Sequence, residues 1–249
     1  MLTVSIVTHG HGNSALEAVS DALRSSLVRR VILIMNIDEN LLVPQDERLI
    51  VLKNLRPKGF SANHNHAFSL CETEFFCVVN PDVRFDPGLF DCLLSAFRQP
   101  VVAVCAPLIF GPTGILEDSA RVFPTVPLLL RKLLFSYEGR FPNKDGDELQ
   151  PDWVAGVFMM FRSSVFREIR GFDDGFYMYY EDVDICRRIW RNGNSVNLCK
   201  NAKLTHFAQR ESRRRLRLAI IHARSMARYL LLTSLHNRKR SSHTGHLKG

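Results

Sequence analysis

The chain has 249 residues, 46% of them apolar, so it can bury one large core and is no disordered polymer. Its net charge of +8 is uneven: residues 200–249 hold 13 Lys or Arg against Glu211 alone, whereas the first 199 residues hold 20 basic and 24 acidic side chains. No apolar run reaches the length of a membrane span, the opening MLTVSIVTHG lacks the pattern of a secretion signal, and Cys71, Cys77, Cys92, Cys105, Cys186 and Cys199 form no CxxC pair or regular framework, which together point to a reduced cytoplasmic chain.

Residues 2–8 (LTVSIVT) form a β-branched apolar run that predicts a strand, followed by a loop at Gly10, Gly12 and Asn13 and a helix over 14–27. Strands at 31–35 and 49–52, a helix at 61–71 and a strand at 75–79 continue the alternation. Nearly continuous apolar strands between helices predict an α/β fold with a mostly parallel, Rossmann-like sheet covered on both faces. In such sheets ligands bind beyond the carboxyl ends of the strands. The strand FFCVV stops there at Asn80, Pro81 and Asp82, a tripeptide that suits a tight turn and equally suits a site. Residues 101–110 predict another buried strand. The stretch 111–152 is rich in Gly, Pro and charge, with one helical candidate at 128–137, as expected of a lid or binding region. A strand over 153–161 interrupted by Gly156 and a helix over 163–169 follow.

The stretch YYEDVDICRRIW places Glu181, Asp182 and Asp184 at a helix start, where the macrodipole favours carboxylates. At about 100° per residue, Val183, Ile185, Cys186, Ile189 and Trp190 share a face that includes Asp182, while Glu181, Asp184, Arg187 and Arg188 point to the opposite side. An inward carboxylate needs a partner or a task, so Asp182 is either a satisfied cap or a general base whose pKa desolvation has raised. His206, in LTHF, follows a short apolar segment and is a lone histidine, structural unless Asp82 needs a second ligand.

Taken in order, VSIVTHG, RPKGFSANHNHA, NPDV and DWVAGVFMMFRSSVFREIRGFDDGFYMYYEDVDICRR resemble the inverting glycosyltransferases of family 2, with the GT-A fold, and within them the rhamnosyltransferase-like branch. The resemblance implies transfer of a sugar from a nucleotide diphosphate to a glycan or lipid-linked acceptor in bacterial surface polysaccharide synthesis. It implies donor contacts at Thr8, His9, Asn36, Asn65, Asn80 and Asp82, and a Mg²⁺ or Mn²⁺ held by Asp82 and His206. It makes Asp182 the catalytic base, gives Glu181 and Trp153 to the acceptor, and leaves Trp153 the competing role of a core residue beside a strand. dTDP-rhamnose is the implied donor, with a UDP-sugar as the other choice.

Three departures stand out, the first being Gly10 where Asn is common. Met35 occupies the place of a base-reading Asp, with Asp38 as a substitute, and Asn80 replaces the first acid of the metal motif. They keep open a second reading, a catalytically weak or inactive GT-A protein that binds polyanions or a membrane surface. The expected organisation is a glycosyltransferase domain over 1–212, a basic amphipathic helix over 213–237 and a disordered end from 238 to 249. On that helix Leu216, Ala219, Ile220, Ala223, Ala227 and Leu230 share one face, with Arg217, Arg224 and Arg228 beside it. The stripe either packs on the domain or meets the inner face of the cytoplasmic membrane. Nucleic acid is not an expected partner, because no recognition motif accompanies the charge.

Overall fold

The computed structural model describes residues 1–135, 148–208 and 215–244. Its first part follows the predicted alternation: β1 (Leu2–Thr8), α1 (Asn13–Leu23), β2 (Val28–Met35), β3 (Leu49–Lys53), α2 (Phe60–Phe68) and β4 (Phe75–Val79). There follow β5 (Val83–Arg84), α3 (Leu89–Ala96), β6 (Val102–Phe110), β7 (Ala120–Arg121) and α4 (Val126–Phe135). The last two residues of the helix expected over 128–137 lie outside the described residues. The chain continues with β8 (Glu148–Leu149), β9 (Trp153–Val154), β10 (Phe158–Arg162), α5 (Ser163–Glu168), α6 (Glu181–Arg191), β11 (Ser195–His206) and α7 (Arg215–Thr244).

The main sheet has the order β3-β2-β1-β4-β10-β6-β11-β5, with β8 also on β11. β1 runs parallel to β2 and β4, and β10 runs antiparallel to both β4 and β6. Since β11 is parallel to β6, the ends of β1, β4, β6 and β11 all reach the edge at which β10 begins. One edge therefore collects Thr8, Asn80, Phe110, Phe158 and His206. Gly156 does interrupt the predicted strand, and the two pieces join different sheets: β9 pairs with β7, whereas β10 enters the main sheet.

Alternation along β1 sends Leu2, Val4 and Ile6 to one face, against Ala15, Ala18 and Val19 of α1 and Phe90 and Leu93 of α3. Phe76 and Val78 of β4 face the other side, against Phe166 of α5 and Ile185 and Ile189 of α6. Among these apolar groups His64 of α2 is fully buried, with Nδ1 2.8 Å from Ser5 Oγ and Phe60 against its ring. Burial pushes its pKa from 6.5 down to about 3. Between these values the unfolded chain holds a proton that the folded chain excludes, so stability should fall as pH drops below about 6.5, by roughly 1.4 kcal/mol per pH unit. Urea midpoints at stepped pH should show this slope flattened in His64→Gln; an unchanged slope would contradict a neutral buried His64.

α7 runs past the end expected for it, and of the two roles open to its apolar stripe it does not take the packed one. It runs to Thr244, so residues 238–244, expected to be disordered, are helical; 213, 214 and 245–249 lie outside the described residues. The face packed on the domain holds Ser225 and Tyr229, with Met226 and Leu232 beside them, and Tyr229 joins Phe176, Tyr180 and Val183. The alanine-rich stripe read from the sequence is turned mostly away, with Leu216, Ala219, Ile220, Ala223 and Ala227 exposed.

Candidate active site

Asp82 lies just past the end of β4 and is buried, and His206 ends β11. A backbone bond from Phe207 N–H to Asp82 C=O (2.7 Å) and the pairing of His206 with Val83 fix the two segments side by side. His206 Nε2 stands 3.4 Å from Asp82 Oδ1, an oxygen that is buried and lacks a well-formed hydrogen bond. On the other side of the ring, Nδ1 lies 2.9 Å from Glu117 Oε2. Burial alone would raise the Asp82 carboxyl, yet its contact with His206 and the nearby His11 leave it below the ordinary value. Burial would likewise lower His206, and the carboxylates of Asp82 and Glu117 raise it instead.

A buried carboxylate oxygen short of a donor, beside an imidazole nitrogen whose partner nitrogen is already fixed, suits a divalent cation. No group of three or more His, Cys, Asp or Glu side chains able to hold a metal is found among the described residues. Asp82 and His206 would thus supply two ligands and leave the others to phosphate oxygens and water, the usual arrangement for Mg²⁺ at a phosphate site. Glu117, which the sequence reading missed, belongs to this centre as the group that orients His206.

The carboxylates at the start of α6 are joined to this edge by two consecutive residues. Val157 C=O accepts from Asn80 N–H (2.9 Å), and Gly156 N–H donates to Asp182 Oδ2 (3.1 Å). A Cβ on Gly156 would stand 3.3 Å from the Phe60 ring and 3.7 Å from Asp182 Cβ, so the close approach leaves little room for a side chain. Asp182 Oδ1 accepts from Val183 N–H at 2.8 Å. Burial still raises its carboxyl above the ordinary aspartate value against both hydrogen bonds. The Glu181 carboxyl is raised as well, by burial first and the Asp182 charge second, and its Oε2 is buried without a partner. Two backbone N–H groups favour the ionised form of Asp182 while Glu181 Oε2 has none, so the hydrogen bonding leaves a proton of the pair on Glu181.

The side of α6 opposite Asp182 is not open to solvent. Glu181 and Asp184 are both buried, and Asp184 has Asp173 of the turn after α5 and Arg228 of α7 close enough to act on its charge. Asp184 pairs with Arg188 at 2.7 Å, and Arg188 also donates to the carbonyls of Ile169 and Gly171. A cavity of about 280 Å³ between α6 and α7 is lined by Asp184, Arg188 and Leu232; none of Thr8, Asp82, Asp182 and His206 reaches it. Just before α6, Tyr179 and Tyr180 both adopt left-handed backbones with φ of 69°. α7 braces them: Ser225 donates to Met178 C=O (2.8 Å), the Tyr229 ring lies 5.4 Å from that of Tyr180, and His222 lies against both tyrosines.

At the end of β1, Thr8 is buried and its hydroxyl donates to Glu39 Oε1 (2.7 Å), which also accepts from Gly10 N–H; Gly12 N–H donates to Oε2. Glu39, not Asp38, thus reaches across the loop below Met35. Asn36 is saturated within the protein: its oxygen accepts from Lys58 N–H, Asn54 and Asn63, while its amide reaches Lys58 C=O and His9 Nδ1. His9 and Asn36 therefore shape the floor of the loop. Asn65 is tied to the turn after α5, exchanging hydrogen bonds with the Phe172 backbone and donating to Asp174. Trp153 donates its indole N–H to Val122 C=O (3.0 Å) and has Arg121 5.7 Å from its ring centroid, so it packs as a partly buried wedge. Asn80 remains partly exposed at the mouth of β4.

A curled, mostly parallel sheet with an antiparallel insertion, its nucleotide-side loops, Asp82 and the α6 carboxylates gathered near one edge, defines a GT-A type α/β protein. Residues 36–170 match glycosyl transferase family 2, and the chain belongs to that family. Residues 148–210 also match the N-terminal domain of galactosyltransferase. The chain is similar to the N-acetylglucosaminyl-diphospho-decaprenol L-rhamnosyltransferase of Mycobacterium tuberculosis, at 32% identity over 146 residues, covering 53% of this chain and 47% of that relative. The chain thus spans about half the length of that relative. Rhamnosyltransferase WbbL of Escherichia coli K12 is 24% identical over 246 residues, covering 92% of each. Among solved structures, GalNAc-T7 with UDP, GalNAc and Mn²⁺ superposes with a TM-score of 0.64 at 16% identity, over 85% of this chain and 44% of that one, which shows the shared fold.

Proposed function

We propose that the chain is an inverting, metal-assisted glycosyltransferase that moves rhamnose from dTDP-rhamnose, or failing that a sugar from a UDP donor, to a lipid-linked glycan at the inner face of the bacterial membrane. The observation that carries this reading is the joint geometry of Asp82, His206 and Asp182: an orphaned carboxylate oxygen beside an oriented imidazole, linked through Gly156 and Val157 to a carboxylate of raised pKa. The rhamnosyltransferase relatives supply the sugar and the class of acceptor.

Asp82 Oδ1 and His206 Nε2 would hold the cation, with Glu117 fixing the ring. Bound there, Mg²⁺ or Mn²⁺ supplies electrostatic stabilisation of the charge that grows on the departing diphosphate. Asn80, partly exposed beside Asp82, adds a neutral polar contact to the donor. Asp182 takes the proton of an acceptor hydroxyl while that oxygen forms its bond to the anomeric carbon. The bond to the diphosphate breaks on the opposite face, so configuration inverts. Glu181, buried behind Asp182 and held as the neutral acid, contributes no competing charge beside the base. Trp153 and Arg121 wall the acceptor side.

A panel of nucleotide sugars assayed with Mn²⁺ or Mg²⁺ tests the reading, by calorimetry for donor binding and by product analysis for transfer. Failure of every nucleotide to bind or react would leave a polyanion- or membrane-binding protein of the same fold. Glu39 stands in this proposal as the acid that shapes the donor loop where Met35 replaces the expected Asp. Glu39→Gln should raise the donor KM roughly tenfold with little change in kcat, as expected when binding common to ground and transition states is lost. A fall in kcat at constant KM would assign Glu39 to the chemistry instead.

A further inference from the structure

α7 is held on the domain by one face and leaves a second apolar face uncovered. Ser225 and Tyr229 are buried on the inner side, 6% and 1% exposed, whereas Leu216, Ile220 and Leu231 are 79%, 52% and 65% exposed. Together with Ala223 and Ala227, these three fall within an arc of about 80° around the helix, opposite the packed face. Arg217 and Arg224 flank the stripe on one side and are themselves exposed. Over Arg215–Thr244 the sequence holds seven Lys or Arg and no Asp or Glu.

We propose that this outer face of α7 docks on an anionic lipid bilayer, lying in the plane of the headgroups with the Leu and Ile side chains inserted and the arginines on lipid phosphates. The proposal rests on the use of a lipid-linked acceptor and names the surface that brings the enzyme to it. Charge selects this occupant. A second copy of the chain meeting the same face would bring a helix with seven cations and no acid against its twin, a repulsive pairing. A nucleic acid would satisfy the arginines but leave the aliphatic stripe in water, because phosphate contacts give no place for it. A bilayer interface satisfies both sets of groups, and paired apolar and cationic contacts are what stable surface anchoring requires. The dock also has a direct structural route to the site, since the inner face of α7 braces the turn that leads into Glu181 and Asp182.

The full chain should sediment with vesicles of phosphatidylcholine mixed with phosphatidylglycerol, and far less with phosphatidylcholine alone. Combined Leu216→Ser, Ile220→Ser and Leu231→Ser should weaken vesicle binding by roughly tenfold or more. Combined Arg217→Glu and Arg224→Glu should remove the preference for the anionic lipid. All five positions are on the exposed face, and circular dichroism and melting of the variants should match the parent. An Ile220→Trp reporter, which keeps the stripe apolar, should shift its emission to the blue on anionic vesicles only. The idea is overturned if the parent stays in the supernatant, if the serine variant sediments unchanged, or if the reporter stays in water. Loss of a dimer in the serine variant without loss of vesicle binding, or binding to duplex DNA that matches binding to vesicles, would overturn it as well. None of these readouts uses turnover, so a docking protein without transferase activity would sink the functional reading and leave the dock standing.

Discussion

Asp182→Asn should lower kcat by about a hundredfold to ten-thousandfold, the range for removing a positioned general base, while donor affinity stays close to that of the parent. The amide keeps the shape of the side chain and can still accept from Val183 or Gly156, but it cannot take the proton of the acceptor hydroxyl. The pH profile gives the sign. Asp182 works as the ionised form, and its pKa is raised by burial, so kcat should rise with pH through that raised value and collapse on the acid side. Glu181→Gln should behave differently, retaining most of the activity, because Glu181 is already favoured as the neutral acid and the amide resembles it. Single-turnover rates over a pH series, with donor binding measured separately, distinguish the two. An Asp182→Asn enzyme with parental kcat, or a rate that increases as pH falls, would remove Asp182 from the chemistry.

The second large effect concerns the cation. His206→Ala should raise the Mn²⁺ concentration needed for donor binding by roughly a hundredfold, since it leaves Asp82 as the sole side-chain ligand. Glu117→Gln should raise it by roughly tenfold, in line with the loss of an outer-shell partner. Glu117 is partly exposed and contributes to orientation, so its removal should leave the melting temperature nearly unchanged. Calorimetric titration of the nucleotide diphosphate at stepped Mn²⁺ reads both without any turnover. If Mn²⁺ has no effect on nucleotide binding in the parent, or if His206→Ala needs no more of it, the Asp82 and His206 pair is an ordinary structural contact.

Local signals in the sequence reach as far as local physics does. The apolar, β-branched runs of β1, β2 and β4 predict themselves, because both faces of these strands are buried. β11 escapes the same test: its buried stretch carries Ser195 and Asn197, which hydrogen-bond to each other at 2.9 Å, and a register shift between Cys199 and Lys203 breaks its pattern. The helical period separates Asp182 from Glu181 and Asp184 but gives the wrong pair to solvent: those two are buried and Asp182 is only partly so, because neighbours from outside α6, which its periodicity cannot report, set the burial. Glu117 sits in a loop and meets His206 from 89 positions away, and Glu39 reaches its glycine amides across the loop that follows β2. Such partners are set by topology and leave no trace in spacing. On α7, small and large apolar residues ring much of the helix, so composition could not say which arc would be used; Tyr229 decided it by finding a buried site beside Tyr180.

Two successive tyrosines with left-handed backbones are a conformation that the chain does not keep unaided, each disfavoured by on the order of 1–3 kcal/mol. Here the restraint comes from a segment more than forty positions downstream, through Ser225, His222 and Tyr229. The shape of the turn before the two carboxylates is accordingly borrowed from the far end of the polypeptide. The two backbones that lead into Glu181 and Asp182 thus have their restraining contacts on that helix and not on their own neighbours in the chain.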